Sequence, residues 1–433
     1  MTPSVTIEPM AGPPKSLREL SCAEDRDSSS LSVTQAREYI RTFLSPVKGS
    51  ERVAIRAALG RILSEAVISP IDVPAHDNSA MDGYAVRFAD LESEGEVALK
   101  EIGVAYAGMP HSGPVRAGEC VRIMTGAVIP ECADTVVMQE DVQVSKGIAR
   151  IGGGHKRGQN LRRAGEDLRA GAPALARGKL VRPAELGLIA SLGIAEVGVY
   201  RRLRVAFFST GDELRSVGSL LEPGQIYDSN RYTIYGMLER LGCEMIDIGV
   251  VKDDPELLER AFSEAAAMAD VVITSGGVSV GEADYVKALL ARLGEVVFWK
   301  ISMKPGKPLA YGRIGPSHFF GLPGNPVSVM VTFYEFVQEA LWLLMGRTEL
   351  HPLTALKAIC TSPVKKAPGR TEFQRGVLSQ NADGSWSVRV TGEQGSGILR
   401  SMSEANCFIV LPENEKSLPA GTLVDVQLME GLV

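Results

Sequence analysis

The stretch "VVITSGGVSVGEADY", Val271–Tyr285, decides how this chain is read. An uninterrupted apolar run ends in a glycine-rich turn, and a helix-like run, "DYVKALLARLG", follows. Apolar residues without polar alternation suit a strand buried on both faces, as in a parallel sheet. Gly276, Gly277 and Gly281 let backbone N–H groups approach an oxyanion, and a helix start near Asp284 adds its positive end. The same loop carries Glu282 and Asp284, acids that a bare anion would repel. Taken alone, the loop fits a tight strand-to-helix turn with an aspartate cap as well as it fits a phosphate cradle. Neither the GxxxxGK[ST] nor the GxGxxG pattern occurs anywhere in the chain.

Working outward, strand and helix patterns alternate from about Arg201 to Gly346. "RVAFFST", "EMIDIGVV" and "EVVFWKISM" read as strands, and "SNRYTIYGMLERLG" as a helix. "DPELLERAFSEAAAMA" is a helix with Asp253 or Asp254 near its cap and Pro255 in its first turn. "KPLAYGRI" and "HFFGLPG" add strands, and "PVSVMVTFYEFVQEALWLLMG" a long apolar helix. This alternation predicts an open, mostly parallel α/β sheet covered on both faces. Residues 31–200 read as β-rich, with "VTQAREYIRTF" and "RPAELGLIASLG" as helical exceptions. Residues 351–433 give only short strands and predict a small all-β domain. The fold class is therefore a multidomain α/β protein with a β-rich N-terminal half.

The totals agree with several soluble domains. The chain has 433 residues, 45% of them hydrophobic and 23% charged, and a net charge of −6. That balance argues against a broad basic face for nucleic acid. No run of about 18 apolar residues is evident, so no membrane span is expected. Six scattered cysteines without CxxC pairs, and five histidines without HExxH, give no zinc motif and suggest a reducing cytoplasm. Residues 1–30, rich in Pro, Ser and charge, are expected to be a disordered leader.

In such sheets ligands bind outside the carboxyl ends of the strands. Four stretches fall there: "STGDEL" with Glu213, "SGGVSVGEAD" from Ser275, "KISMKPGKP" with Lys300, Lys304 and Lys307, and "GLPGNP" with Pro323, Gly324, Asn325 and Pro326. Clustered lysines beside clustered acids, Asp253 and Asp284 among them, suit a phosphate reaction assisted by Mg²⁺, a hard cation that takes oxygen ligands. The acids serve equally as helix caps. The β-rich half adds "DNSAMDGYAV" with Asp82, "RIMTGAVIP" with Thr125, and "GQNLRRAGEDL" with Arg162 and Asp167. Asp82-Gly83 also reads as a hairpin turn, and the Arg/acid group as a surface ion pair.

Eight motifs, "DNSAMDGYAV", "RIMTGAVIP", "GQNLRRAGED", "FSTGDEL", "GQIYDSNRY", "SGGVSVGEADY", "MKPGKP" and "GLPGNPVSV", occur together and in order. Over roughly residues 31–430 the chain resembles the MoeA family of molybdopterin molybdenumtransferases, relatives of the gephyrin E domain. The resemblance implies insertion of molybdate into adenylylated molybdopterin with release of AMP, assisted by Mg²⁺ or a similar ion. It implies a dimerisation domain formed by about residues 31–70 and 170–200, with an inserted β domain at about 71–169. A molybdopterin-binding domain at 201–350 and a terminal β domain at 351–433 follow.

It further implies a homodimer whose sites are shared between subunits. Transient contacts with the adenylyltransferase, and with molybdoenzymes or their chaperones, belong to the same expectation. Matched position by position, the family's functional residues fall on Asp82, Thr125, Glu213, Asp253, Asp284, Lys300 and Lys304, with Asp253 and Asp284 as metal ligands. Arg162, Asp167, Pro323 and Pro326 match further family positions, and the loop patterns add Ser275, Gly276, Gly277, Gly281, Lys307, Gly324 and Asn325 as candidate substrate-binding residues. His76 and Ala164 depart from the usual pattern without touching these positions. Two other readings are an adenylyltransferase built on a similar sheet domain and a non-catalytic scaffold. The long β-rich half argues against the first, and the intact acids and lysines against the second.

Overall fold

A computed structural model describes residues 30–92, 95–277, 284–350 and 355–429. The expected leader lies outside them except for Ser30, and so do Gly281 and Glu282.

The first element is helix α1, Val33–Thr42, opened by a capping box in which Ser32 and Gln35 exchange hydrogen bonds. It packs Val33, Ala36 and Ile40 into the core of the central domain rather than against its sequence neighbours. The chain then runs outward and back. Ser50–Ala54 pairs with Glu196–Tyr200, Val67–Ile68 with Pro173–Leu175, and Asn78–Ser79 with Leu161–Arg162, all antiparallel. These nested pairings form a stalk that carries the six-stranded sheet of residues 83–151 at its far end. In that sheet only Val97–Ala105 and Glu119–Ile123 run parallel.

The central domain is built on six strands: β1 (Arg204–Thr210), β2 (Glu244–Val251), β3 (Val271–Ser275), β4 (Gly294–Lys300), β5 (Pro308–Ile314) and β6 (Ser317–Leu322). Their spatial order is β2-β1-β3-β6-β5-β4. The first three pairings are parallel, and β6–β5 and β5–β4 are antiparallel. The sheet is therefore mixed, with β5 alone running against the other five strands. The cause is local. Only Gly315 and Pro316 separate β5 from β6, too short a link for a crossover, so the two form a hairpin.

Side chains alternate between the two faces of β1. Val205 and Phe207 join one apolar cluster and Ala206 and Phe208 the other. The helices Ser229–Arg240 and Pro326–Leu344 cover the first face, and Pro255–Met268 and Asp284–Leu293 the second. Pro326–Leu344 is long and apolar enough to cross a membrane by length and composition, contrary to the expectation above. Two-thirds of its most apolar window is buried inside the fold, as in a core helix. A π turn at Phe333–Val337 interrupts it.

That π turn presents Glu335, 1% exposed, to two distant segments. Arg37 of α1 donates to its carbonyl oxygen (2.8 Å) and to its carboxylate. Gln427 of the last strand donates to the other carboxylate oxygen at 2.8 Å. The C-terminal strands form a closed ring of Thr371–Gln380, Trp386–Val390, Ala355–Cys360, Leu423–Leu428 and Cys407–Leu411. The two-residue strand Met303–Lys304 from the central domain pairs onto Thr371–Glu372.

Burial pushes the Glu335 carboxyl above its ordinary value, and the positive charge of Arg37 opposes that rise. Arg37→Ala removes the compensating cation, so a loss of about 3 kcal/mol in urea unfolding at neutral pH is expected. A group whose folded pKa is raised stabilises the fold while protonated and loses that contribution as pH rises through the folded pKa. The deficit of the variant should therefore shrink as pH is lowered toward the carboxylate range.

Candidate functional site

The parallel strands β1 and β3 lie side by side although β2 stands between them in sequence. The chain thus leaves β1 toward one edge of the sheet and resumes at β3 on its other side. The crevice outside their carboxyl ends is the switch point where such sheets bind ligands. A cleft of about 1020 Å³ opens there.

Its floor is the turn after β3. Gly276 and Gly277 have φ of +92° and +68°, conformations that favour glycine. A Cβ on Gly276 would lie 2.5 Å from the carbonyl oxygen of Thr210, so only glycine allows the close approach to the end of β1. The Gly276 N–H donates to Leu322 at 3.2 Å, which ties this turn to the one after β6.

Of the residues expected from sequence, Glu213, Asp253, Ser275, Gly276, Gly277, Lys304, Lys307, Pro323, Gly324, Asn325 and Pro326 line this cleft. Asp284 begins its helix, but its side chain is outside the described set, as is Gly281. Lys300 ends β4 with an exposed side chain and is not among the lining residues. Its carbonyl accepts a 2.9 Å hydrogen bond from Leu31 N–H. Lys304 sits beside Glu372 of the C-terminal domain, Nζ to Oε1 3.5 Å. Asn325 holds the N-cap position of its helix, but its side chain makes no capping bond. The Val327 N–H instead donates to Ser396 of the C-terminal domain at 3.1 Å.

The C-terminal domain supplies a wall that no sequence motif announced. Arg370 and the loop Gln394–Gly397 line the cleft. The loop is held from behind by Arg375, which is 1% exposed. Its guanidinium donates to the carbonyls of Glu393 (3.4 Å), Gln394 (3.2 Å) and Gly395 (2.9 Å) and to Ser401 Oγ (3.0 Å). Burial without a carboxylate partner pushes this guanidinium down to about 10. Asp228 and Asn230 of "GQIYDSNRY" also line the cleft. Their motif counts toward the family resemblance, but the resemblance assigns neither residue to the site.

The cleft combines Lys304, Lys307 and Arg370 with Glu213, Asp228 and Asp253, glycine-turn amides and a helix start at Pro326. Such a set can hold a polyanion and a divalent cation together. Among the described residues no three His, Cys, Asp or Glu side chains are placed to hold a metal ion by themselves. Mg²⁺ does not need such a cage, since it keeps waters and leans on one or two carboxylates plus substrate phosphates. Glu213 and Asp253, on the same cleft as the cations, fit that mode.

The structure does not bring Asp82, Thr125, Arg162 and Asp167 to this cleft within one chain. All four are exposed on the distal β domain and its stalk. Asp82 Oδ1 accepts hydrogen bonds from both the N–H and the Oγ1 of Thr125, each 2.7 Å. The neighbouring Asp77 accepts from Arg163 (2.6 Å) and from Ala164 N–H (2.8 Å).

Three family models match the chain in order. They are the MoeA N-terminal region (domain I and II) at residues 31–193, the "Probable molybdopterin binding domain" at 206–342, and the MoeA C-terminal region (domain IV) at 357–429. The chain is 46% identical over 398 residues to a molybdopterin molybdenumtransferase of Haemophilus influenzae, covering 92% of this chain and 98% of that one. It is 38% identical to the molybdopterin molybdenumtransferase of a Nostoc species, covering 87% and 88%. The molybdopterin biosynthesis MoeA protein of Pyrococcus horikoshii superposes with a TM-score of 0.80 at 28% identity, covering 92% of this chain and all of that one.

The two bonds from Thr125 hold the Asp82 carboxyl below its ordinary value of 3.8, the backbone N–H contributing most. They favour the ionised form, so they persist above that value and are lost as pH falls through the folded pKa. Thr125→Ala, which removes the hydroxyl but keeps the N–H, should move the Asp82 titration part of the way up toward 3.8. Carboxyl NMR shifts read this directly, and Asp82 should remain fully ionised at neutral pH in both proteins.

Proposed function

The chain belongs to the MoeA family, and on that footing we propose that it is a molybdenum insertase of molybdenum cofactor biosynthesis. It takes adenylylated molybdopterin and molybdate, places molybdenum on the dithiolene and releases AMP. The observation that carries the reading is the switch-point cleft, which gathers lysines, acids and glycine-turn amides on one edge of a molybdopterin-binding-type domain.

Each group has a chemical task in this reaction. The Gly277 N–H and the positive end of the helix that starts at Pro326 receive phosphate oxygens, the Gly276 and Val327 N–H groups being bonded already to the Leu322 and Ser396 carbonyls. Lys304 and Lys307, with Arg370 opposite, balance the charge of the pyrophosphate and of molybdate. Glu213 and Asp253 would hold a Mg²⁺ on the pyrophosphate, with Asp284 added from the same loop edge. When bound, that ion supplies charge neutralisation at the scissile phosphoryl group. Lys300 stands one step behind, at the root of the lysine loop. The proline-flanked turn Pro323–Pro326 forms a stiff wall against which the substrate is aligned.

The remaining family positions enter through a homodimer. Asp82, with its ionised carboxylate fixed by Thr125, and Arg162 and Asp167 would reach the cleft of the partner subunit. Their exposure on the distal domain supports this arrangement, because a single chain leaves them away from the cleft. The five described cysteines are unpaired, which suits the reducing cytoplasm included in the proposal. Contacts with the adenylyltransferase that supplies the substrate, and with the acceptors of the finished cofactor, complete it.

Lys304→Ala and Asp253→Asn should each cut AMP release from adenylylated molybdopterin, with molybdate present, by about 100-fold or more. Near-normal release in both variants would sink the cleft assignment. Mixed dimers of Asp82→Ala and Lys304→Ala subunits should recover part of the activity, because one of their two sites keeps both residues. No recovery would count against sites shared between subunits.

A further inference from the structure

The motif "GQIYDSNRY" has no task in the reaction above, yet two of its side chains are buried at the cleft. Asp228, 1% exposed, accepts from Ser209 Oγ at the end of β1 (2.9 Å) and caps the helix Ser229–Arg240 by accepting from Arg231 N–H (3.2 Å). Asn230, 9% exposed, is the second residue of the same helix. Its Nδ2 donates to Ser275 Oγ at 2.8 Å and to the Gly324 carbonyl at 2.7 Å. The amide orientation is fixed by chemistry, because the Gly324 carbonyl can only accept. One amide nitrogen thus spends both its protons on the two turns that form the cleft floor, after β3 and after β6. Ser275 Oγ closes the arrangement with a longer 3.4 Å contact to the Pro323 carbonyl. The other amide atom, Oδ1, is buried with no partner among the described residues.

We propose that Asn230 is the positioning residue of the substrate site. It clamps the Ser275–Gly277 turn to the Pro323–Asn325 turn and so sets the width of the phosphate-receiving floor. The clamp crosses the opening between β3 and β6, where the paired backbone stops at Ser275–Leu322. Beyond that point the two turns are joined, among the described residues, by the Gly276 N–H bond to Leu322, the long Ser275 Oγ contact to Pro323 and the Asn230 bridge. No other amino acid of similar size presents two N–H donors from one planar atom in that space. Aspartate keeps the shape but presents only acceptors, and places a carboxylate against the Gly324 carbonyl. Alanine removes the bridge altogether.

The inference rests on the insertase reading for its kinetic consequence, but not for its structural one. The test uses the full chain with Asn230→Ala and with the near-isosteric Asn230→Asp, both checked for folding by near-ultraviolet circular dichroism. Hydrogen exchange at residues 276, 277, 324 and 325 should quicken in both, with the β1 and β3 strand amides unaffected. The KM for adenylylated molybdopterin in AMP release should rise about 10- to 100-fold, with kcat falling less. Unchanged exchange in either folded variant overturns the clamp. Faster exchange with an unchanged KM overturns its positioning role. If the wild-type protein releases no AMP, the insertase reading fails, and exchange alone decides the clamp.

Discussion

The strand Arg204–Thr210 is buried on both faces, and most of the architecture follows from that constraint. After the exposed Arg204, the residues Val205, Ala206, Phe207 and Phe208 are at most 1% exposed, so the strand carries no further polar side chain until its last two residues. Helices must cover both of its faces, and parallel neighbours must bring their carboxyl ends to the same edge. Ser209, Thr210 and Ser275 are where polar groups first appear at that edge, and the cleft starts there. Site and core are thus two ends of the same strands. The apolar middle holds the sheet rigid, and the polar ends inherit its precision.

A second dependence joins the domains. The lysine loop leaves the central sheet at Lys300, and its strand Met303–Lys304 pairs with the C-terminal ring at Thr371–Glu372. On its other side Leu31 binds Lys300 and Ser302 through backbone hydrogen bonds of 2.9 and 2.7 Å. The loop is therefore held by the start of the described chain and by its last domain at once. Glu335 repeats that pattern deeper in the core, with Arg37 and Gln427 as partners. The C-terminal domain is part of the cleft wall, since Arg375 holds a loop whose Ser396 carbonyl accepts from the helix start at Val327.

Local patterns carried the elements well. "VVITS" is a fully buried strand, Gly276 and Gly277 sit at the positive φ their place in the turn predicts, and Asp254 caps its helix by accepting from Glu256 and Leu257 N–H. These outcomes follow from residues within a few positions of one another. The hairpin of β5 and β6 likewise follows from the two residues that link them. The π turn at Phe333–Val337 left no mark in an otherwise helical apolar run.

The sequence by itself determined the order of strands and helices, the glycine turn, the lysine loop and the family. Each is written in short stretches whose propensities and spacing are local. Only the tertiary structure decided which of these stretches share a cleft. Asn230 meets Gly324 across 94 residues, and Arg375 reaches the Gln394–Gly397 loop of its own domain to place it on a helix of another. Such contacts depend on the register and closure of whole sheets, which no local pattern encodes. Tertiary structure also separated Asp82 and Thr125 from the cleft that the family motif associates with them. Three nested antiparallel pairings carry them outward, and that separation is a property of the fold rather than of any motif.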